Sequence, residues 1–135
     1  MDPQAPVARQ ARPPDEVLVF TDNREAVRPV FQKHGIKAEI FQEPNLTLCA
    51  TYARIGETAS GDYVLPLEDD DVFKPEKLER LEPVLKGGRW TLVKHAADFI
   101  DADSKPTIWI QQPEEPAVIT REDAWQLYCK LQSGG

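Results

Sequence analysis

An unbroken row of carboxylates, which we call the acidic run, is the part of this sequence best suited to chemistry. Its members are Glu68, Asp69, Asp70 and Asp71. An apolar, β-prone stretch at residues 63–67 leads into it, and a hydrophobic strand that ends in acids places them at the carboxyl edge of a sheet, where open α/β sheets bind ligands. Adjacent carboxylates repel one another, so a fold that keeps them together usually needs a cation. Oxygen ligands of this kind indicate Mg²⁺ or Mn²⁺ and a phosphate-bearing substrate.

A simpler interpretation of the acidic run stays open. Acids that follow a strand are often a solvated loop, or the first turn of a helix, where negative charge suits the helix dipole. The run alone does not decide between a cation site and a solvated loop, and the surrounding sequence has to be considered.

Length and charge limit the classes of protein to which this chain can belong. With 135 residues we expect a single domain over 1–135, with an irregular, proline-rich lead-in at 1–15. The net charge of −7 argues against a nucleic-acid partner. No stretch approaches the roughly 18 apolar residues of a membrane span, and the N-terminus lacks the apolar core of a secretory signal. Cys49 and Cys129 have no metal-ligand spacing, and we expect both to be reduced and buried, as in a cytoplasmic protein.

The apolar patterns predict alternating strands and helices. The predicted strands cover residues 16–21, 38–42, 61–67, 89–100 and 107–111. The predicted helices run from a turn and cap at Asp22 and Asn23 to about residue 34, over 46–59, over 76–86, and from a Thr120 cap to about 131. The last two strands form a predicted hairpin around a turn at 101–105. This order predicts an α/β fold: a mostly parallel, Rossmann-like sheet with helices on both faces, followed by the hairpin and a C-terminal helix.

An ordered set of motifs resembles a known family. The motifs are R-P-P-D-E-V-L-V-F-T-D at 12–22, Asn45 before the long helix, A-S-G-D-Y-V-L-P-L-E-D-D-D at 59–71, K-P-E-K-L-E-R-L at 74–81 and D-F-I-D-A-D-S-K-P at 98–106. In this order and spacing they are similar to the family-2 glycosyltransferases, which have the GT-A nucleotide-sugar fold. The resemblance covers roughly residues 9–106 and rests on the ordered set, since each motif by itself is common.

The resemblance implies a role for each matching position. Asp22, with Thr21 beside it, would accept a hydrogen bond from the nucleotide base, and Asn45 would lie in the same nucleotide site. The family's D-x-D motif falls on residues 68–70, so Asp70 would hold a Mn²⁺ or Mg²⁺ ion on the diphosphate, with Glu68 and Asp71 as further ligands. Asp69 or Glu68 would reach the ribose. Family members mostly invert the anomeric centre and use a carboxylate as base on the acceptor.

Several positions depart from the family pattern. The chain is expected to begin inside the family's first helix, so the family's first strand has no counterpart. Pro66 interrupts the strand before the acidic run and removes an N–H that a central strand needs, which predicts an exposed edge or a pairing outside the chain. Tyr52 and Ala53 replace an Arg-Asn pair, and Thr47 replaces a Gly.

In most members of the family that this chain resembles, the catalytic base lies farther downstream than residue 135. Glu122 and Asp123 are the only later acidic pair at a predicted helix start, which makes Asp123 the candidate catalytic residue. This pair can also be explained without catalysis, because carboxylates in the first turn of a helix interact favourably with the helix dipole.

Three hypotheses follow for the function. The first is a metal-dependent glycosyltransferase domain that binds a nucleotide-diphosphate sugar and transfers the sugar to an unknown acceptor. The second is a truncated, non-catalytic GT-A-like domain that binds a nucleotide or a partner protein. The third is a plain α/β interaction module whose acids bind nothing. In each case unpaired sheet edges favour self-association, and we expect a homodimer.

Overall fold

The computed structural model describes residues 5–88, 92–93, 97–103 and 105–108. The chain divides into two units, Met1–Val93 and Lys94–Gly135. In the first unit the elements are α1 Ala5–Ala8, β1 Leu18–Thr21, α2 Arg24–Lys33, β2 Glu39–Gln42, α3 Leu48–Thr58 and α4 Lys77–Leu85. In the second unit they are β3 Phe99–Ile100 and β4 Pro106–Ile108.

Strands β1 and β2 form a parallel two-stranded sheet. Phe20 lies opposite Phe41 in the register, and their rings stack with centroids 4.9 Å apart and an interplanar angle of 13°. Backbone hydrogen bonds extend the pairing at both ends, from Glu39 N to the Val17 carbonyl and from Glu43 N to the Thr21 carbonyl. The predicted mixed α/β class with parallel pairing is therefore confirmed, whereas the full Rossmann-like sheet is not present among the described residues.

Helix α2 begins and ends where the sequence predicts. The Asn23 side chain accepts a hydrogen bond from Ala26 N at 3.1 Å, which satisfies one of the free N–H groups of the first turn. Gly35 follows the helix with a φ of +65°, a left-handed conformation that suits glycine and stops the helix. The helix buries Phe31, which is 4% exposed and is the only buried hydrophobic side chain among the described residues.

The strand predicted at residues 61–67 is absent, so this prediction is wrong. Residues 61–62 form a bend and residues 63–67 have no regular secondary structure. Their burial still alternates as in a strand: Tyr63, Leu65 and Leu67 are half-buried, while Val64 is 46% exposed. Two causes explain the missing ladder. Pro66 has no N–H to donate, and β1 pairs only with β2 in the described part of the chain, so this segment has no neighbouring strand.

A cavity of about 400 Å³ lies beside this segment in the first unit. Apolar side chains from the start of β1, the end of α3, the segment and α4 line it, among them Leu18, Ile55, Leu65, Leu67, Leu81 and Leu85. Each of these side chains is half-buried. The apolar faces predicted from the sequence thus converge without closing into a packed core.

Gln10 fixes the N-terminal segment to the start of α4. Its Nε2 donates to the Lys74 carbonyl at 2.9 Å, and its Oε1 accepts a hydrogen bond from Leu78 N at 3.2 Å. Ala11 N also donates to the Pro75 carbonyl at 2.9 Å. Glu76, the N-cap residue, makes no side-chain capping bond, so Gln10 performs that task from a distant part of the sequence.

The second unit contains the predicted hairpin. β3 pairs antiparallel with β4, with Phe99 opposite Ile108 and a bulge before Ile100. The Asp101 carboxylate holds the turn, since its Oδ1 accepts hydrogen bonds from Asp103 N and Lys105 N, each at 2.9 Å.

The strand predicted over residues 89–100 is too long. Among its described residues, 92–93 and 97–98 are not in a strand, because the short β4 supplies pairing partners only for residues 99 and 100. Residues 89–91 and 94–96, the end of the return strand at 109–111 and the final helix predicted to residue 131 lie outside the described residues.

Candidate functional site

The acidic run forms an exposed turn at the end of segment 61–67. Asp71 N donates to the Glu68 carbonyl at 3.2 Å, which closes the turn through all four residues. Their carboxylates are exposed, and residues 69 and 70 form its tip. The run therefore presents its charges to solvent, where a cation or a polar ligand can reach them.

Tyr52 ties the acidic run to α3. Its hydroxyl donates to Oε1 of Glu68 at 3.2 Å. The pKa of Tyr52 is raised, first by this hydrogen bond, then by burial and by the negative charges of Glu68 and Asp71. The hydroxyl is therefore near both ends of the run.

Lys77 approaches the run from the first residue of α4. Its Nζ lies 3.6 Å from the centroid of the Phe73 ring, a cation–π contact. Burial lowers the pKa of Lys77, and the charge of Asp71 opposes that effect. The acids thus have a tyrosine on α3 and an ammonium group on α4 as neighbours.

Thr21 and Asp22, the predicted base-binding pair, lie at the carboxyl end of β1. Thr21 Oγ1 accepts a hydrogen bond from Asn23 N at 3.1 Å, so this hydroxyl shapes the turn into α2. Asp22 is exposed in the bend between the two elements. This is the sheet edge at which the sequence predicts a ligand.

Helix α3 is joined to the same sheet edge through Arg54 and Glu43. The Arg54 guanidinium donates to both carboxylate oxygens of Glu43, with the closest pair of atoms 2.9 Å apart, and also to Glu57 at 2.8 Å. The hydrogen bonds from Arg54 lower the pKa of Glu43, although burial opposes this. Since Glu43 directly follows β2, one helix contacts both the end of the sheet and, through Tyr52, the acidic run.

Asn45 lies in the turn between β2 and α3. It has a φ of +66°, a left-handed conformation that asparagine tolerates better than most residues. Thr47 caps α3, because its Oγ1 accepts a hydrogen bond from Ala50 N at 3.3 Å. Thr47 and Tyr52, two of the departures from the family pattern, therefore each make a defined contact.

The exposed side of α3 corrects one expectation about cysteine. Cys49 is a free thiol and is exposed, not buried. It lies beside Leu48, 59% exposed, and one turn before the 41% exposed Tyr52, so the first half of the apolar stripe on α3 faces solvent. Cys129 lies outside the described residues.

The predicted metal ligands are carboxylates, as Mg²⁺ prefers, but they are not arranged around a common metal position. Among the described residues, no group of three or more His, Cys, Asp or Glu side chains is arranged to hold a metal ion. The carboxylates of Glu68, Asp70 and Asp71 are nevertheless the oxygen ligands that Mg²⁺ prefers. This ion commonly takes one or two carboxylates, several waters and substrate phosphates. The donor set fits an ion that arrives with its substrate.

Asp123, the candidate base, lies outside the described residues. Two residues of the site were not identified as such from the sequence. The sequence places Lys77 in the motif at 74–81 without giving it a role at the site, and Tyr52 stands out only as a departure from the family pattern.

Comparison with known proteins decides the family. The family description "Glycosyl transferase family 2" matches residues 5–132 of the 135-residue chain. The chain belongs to glycosyl transferase family 2. No curated protein and no solved structure matches it significantly.

Membership in glycosyl transferase family 2 confirms the resemblance drawn from the motifs and associates the chain with glycosyl transfer. The match also spans Asp123 and the second unit as far as residue 132. Within the described part of the chain, no helix combines the length and apolar character needed to cross a membrane.

Proposed function

We propose that this family-2 domain binds a nucleoside-diphosphate sugar together with Mn²⁺ or Mg²⁺ and transfers the sugar to an acceptor with inversion. Family membership supports glycosyl transfer. The observation that carries the donor site is the Tyr52–Glu68 hydrogen bond. It holds the acidic run against α3, the helix that Arg54 also joins to the end of β2.

The nucleoside is assigned to the carboxyl end of the sheet. Asp22 accepts a hydrogen bond from a ring N–H of the base, and Thr21 and Asn45 complete this part of the site. Glu68 or Asp69 accepts from the ribose hydroxyls. The exposure of Asp22, Asn45 and Asp69 supports these roles, since each side chain is open to a ligand.

The diphosphate is assigned to the acidic run. Asp70 would hold the divalent cation, with Glu68 and Asp71 as further ligands. A cation bound there would supply positive charge to balance the negative charge of the diphosphate. An exposed turn suits this task because water and phosphate oxygens complete the coordination shell.

The transfer is a single displacement. The acceptor hydroxyl oxygen bonds to the anomeric carbon while the bond from that carbon to the diphosphate oxygen breaks, and the hydroxyl proton passes to a carboxylate base. We assign Asp123 as that base. Attack from the face opposite the leaving group inverts the anomeric centre.

Calorimetric titration tests the donor site. Uridine and guanosine diphosphates are titrated into the wild type, Asp70→Asn and Asp15→Asn, each with and without Mn²⁺. Asp15 is the matched control because it is an exposed aspartate that pairs with Arg12 and is not among the proposed ligands. We expect manganese-dependent binding of at least one nucleotide, weakened by roughly tenfold or more in Asp70→Asn and unchanged in Asp15→Asn.

Two results contradict the proposal. One is no binding of either nucleotide by the wild type in any condition. The other is binding that needs no manganese and is the same in Asp70→Asn as in the wild type.

We propose further that the protein is a cytoplasmic homodimer. The alternating burial of residues 63–67 without a ladder partner among the described residues supports self-association, since unpaired strand edges attract other strands. Size-exclusion chromatography with light scattering measures the mass. A monomer at high concentration contradicts the dimer.

A second candidate is a non-catalytic nucleotide-binding or protein-interaction module. The two-stranded parallel sheet of the described residues favours it, because the sheet is smaller than the expected fold. Manganese-dependent nucleotide binding without hydrolysis or transfer of any tested sugar nucleotide supports this candidate over the transferase.

A further inference from the structure

Lys77 carries a cation that is partly removed from water. Its ammonium group rests on the Phe73 ring, 3.6 Å from the centroid, and its surroundings desolvate it enough to lower its pKa. A lysine at the first position of a helix directs its side chain back past the helix N-terminus. On α4 this direction leads to Phe73 and the acidic run.

The ammonium group of Lys77 lacks an ion-pair partner among the described residues. The charge of Asp71 acts on it, but no carboxylate of a described residue lies within 4.0 Å of Nζ. The lysine at the other end of α4 differs, because Lys86 is mostly exposed and pairs with Glu82 at 3.1 Å. Within the described part of the chain, Lys77 is therefore a partly desolvated charge near Asp71 whose N–H groups can bind an anion.

A small, highly charged anion fits this arrangement. Four carboxylates repel an anion unless positive charge is supplied with it, and a cation on the run supplies part of that charge. A lysine already held in place and partly dehydrated loses less on binding a phosphate oxygen than a mobile surface lysine does. A diphosphate that bridges the run and α4 meets both positive centres.

We propose that Lys77 is a binding residue for the diphosphate of the donor, acting beside the cation on the acidic run. This inference rests on the proposed function. Tyr52 stands where the family often has an arginine, so a positively charged contact to the diphosphate is missing from α3. Lys77 would supply such a contact from α4.

Calorimetry in the presence of Mn²⁺ tests the role of Lys77. Uridine and guanosine diphosphates, and the two nucleosides without phosphate, are titrated into the wild type, Lys77→Gln, Lys77→Arg and the matched control Lys86→Gln. Lys77→Met is a second charge-removing variant that keeps an apolar contact with Phe73. Thermal unfolding by circular dichroism selects the variants that fold.

We expect Lys77→Gln to weaken diphosphate binding by roughly 10- to 100-fold, as the loss of a hydrogen bond from a charged group does. Nucleoside binding stays unchanged, Lys77→Arg keeps most of the affinity, and Lys86→Gln behaves as the wild type.

The contrary results can be told apart. Diphosphate binding by the wild type that is unchanged in Lys77→Gln and Lys77→Met overturns this inference and leaves the proposed function standing. An equal loss for nucleosides and diphosphates also overturns it, because the effect is then not specific to phosphate. No binding by the wild type overturns the proposed function and this inference with it.

Discussion

The hydroxyl of Tyr52 lies 3.2 Å from Oε1 of Glu68 and donates a hydrogen bond to it. A tyrosine beside two carboxylates loses its proton less readily, which is why its pKa is raised. This bond converts the first member of the acidic run from a free surface acid into a side chain held by α3. Glu68 and Asp71 are the charges that act on Tyr52, and Asp69 is not among them. Within the run, Glu68 is therefore held by Tyr52, whereas Asp69 has no such link to it.

This relationship predicts the effect of neutralising Glu68. Glu68→Gln should lower the pKa of Tyr52 toward its usual value, because the amide carries no charge to oppose the tyrosinate. Ultraviolet absorbance titration reports tyrosinate, and subtracting the curve of Tyr52→Phe isolates this residue from Tyr63 and Tyr128. Asp69→Asn is the matched control and should leave the pKa of Tyr52 unchanged. Equal decreases in both variants contradict the assignment.

The Glu43–Arg54 pair predicts a pH dependence of stability. Arg54 lowers the pKa of Glu43 in the folded protein, so the stabilisation is present above the pKa of the unfolded chain and is lost as the pH falls through the folded value. Arg54→Met should therefore melt at a lower temperature than the wild type at about pH 7, and the difference should shrink as the pH falls below the ordinary pKa of a glutamate. Thermal unfolding followed by circular dichroism measures both.

Glu57→Gln is the control for this pair. It removes only the exposed i,i+3 contact of Arg54 and should have a smaller effect, because exposed ion pairs contribute little. A difference between Arg54→Met and the wild type that persists unchanged in acid shows that Glu43 is not its cause.

Gln10 is predicted to stabilise the first unit through its two hydrogen bonds. Gln10 is 8% exposed, so water has little access to the groups that it contacts. Gln10→Ala therefore leaves the Lys74 carbonyl and Leu78 N without this hydrogen-bond partner. We expect the free energy of unfolding to fall by about 1–3 kcal/mol, measured by urea denaturation. Gln32→Ala on the exposed side of α2 is the matched control and should change it little. Equal stabilities of the two variants contradict the role of Gln10.

Substitutions of Asn45 separate its backbone conformation from the proposed contact of its side chain with the nucleotide. Because its φ is +66°, Asn45→Gly should keep the stability of the protein, whereas Asn45→Ala should lose about 1 kcal/mol. If the amide contacts the nucleotide, Asn45→Gly should also weaken the binding of uridine or guanosine diphosphate in calorimetry. Full affinity in Asn45→Gly assigns this residue a purely conformational role.

Local signals in the sequence predicted α2, α3, α4 and the first two strands well, whereas the short helix α1 lies in what was expected to be an irregular lead-in. Asn23 and Gly35 bound α2 because capping and left-handed backbone depend on residues next to the helix. β1 and β2 follow from apolar runs that need only each other as partners. The hairpin around Asp101 is likewise a local structure.

The failures have a common origin in contacts between distant residues. The apolar, β-prone residues at 63–67 predicted a strand. A strand forms only where a neighbouring strand supplies hydrogen-bond partners, and this segment has none among the described residues. Pro66 was the only local sign of that missing partner. The exposure of Cys49 depends on what covers α3, not on its own neighbours. The order of the acids identified the candidate site, while its contacts with Tyr52 and Lys77 required the folded chain.

The bonds of Gln10 also bear on the order in which the chain folds. They join residues 64 and 68 positions apart, whereas α2 and the β1–β2 pair need only nearby residues. Closing a long loop costs entropy before its contacts repay it, so local structure forms sooner. We therefore expect the N-terminal segment, although it is synthesised before the rest of its unit, to be among the last parts of that unit to reach its native position.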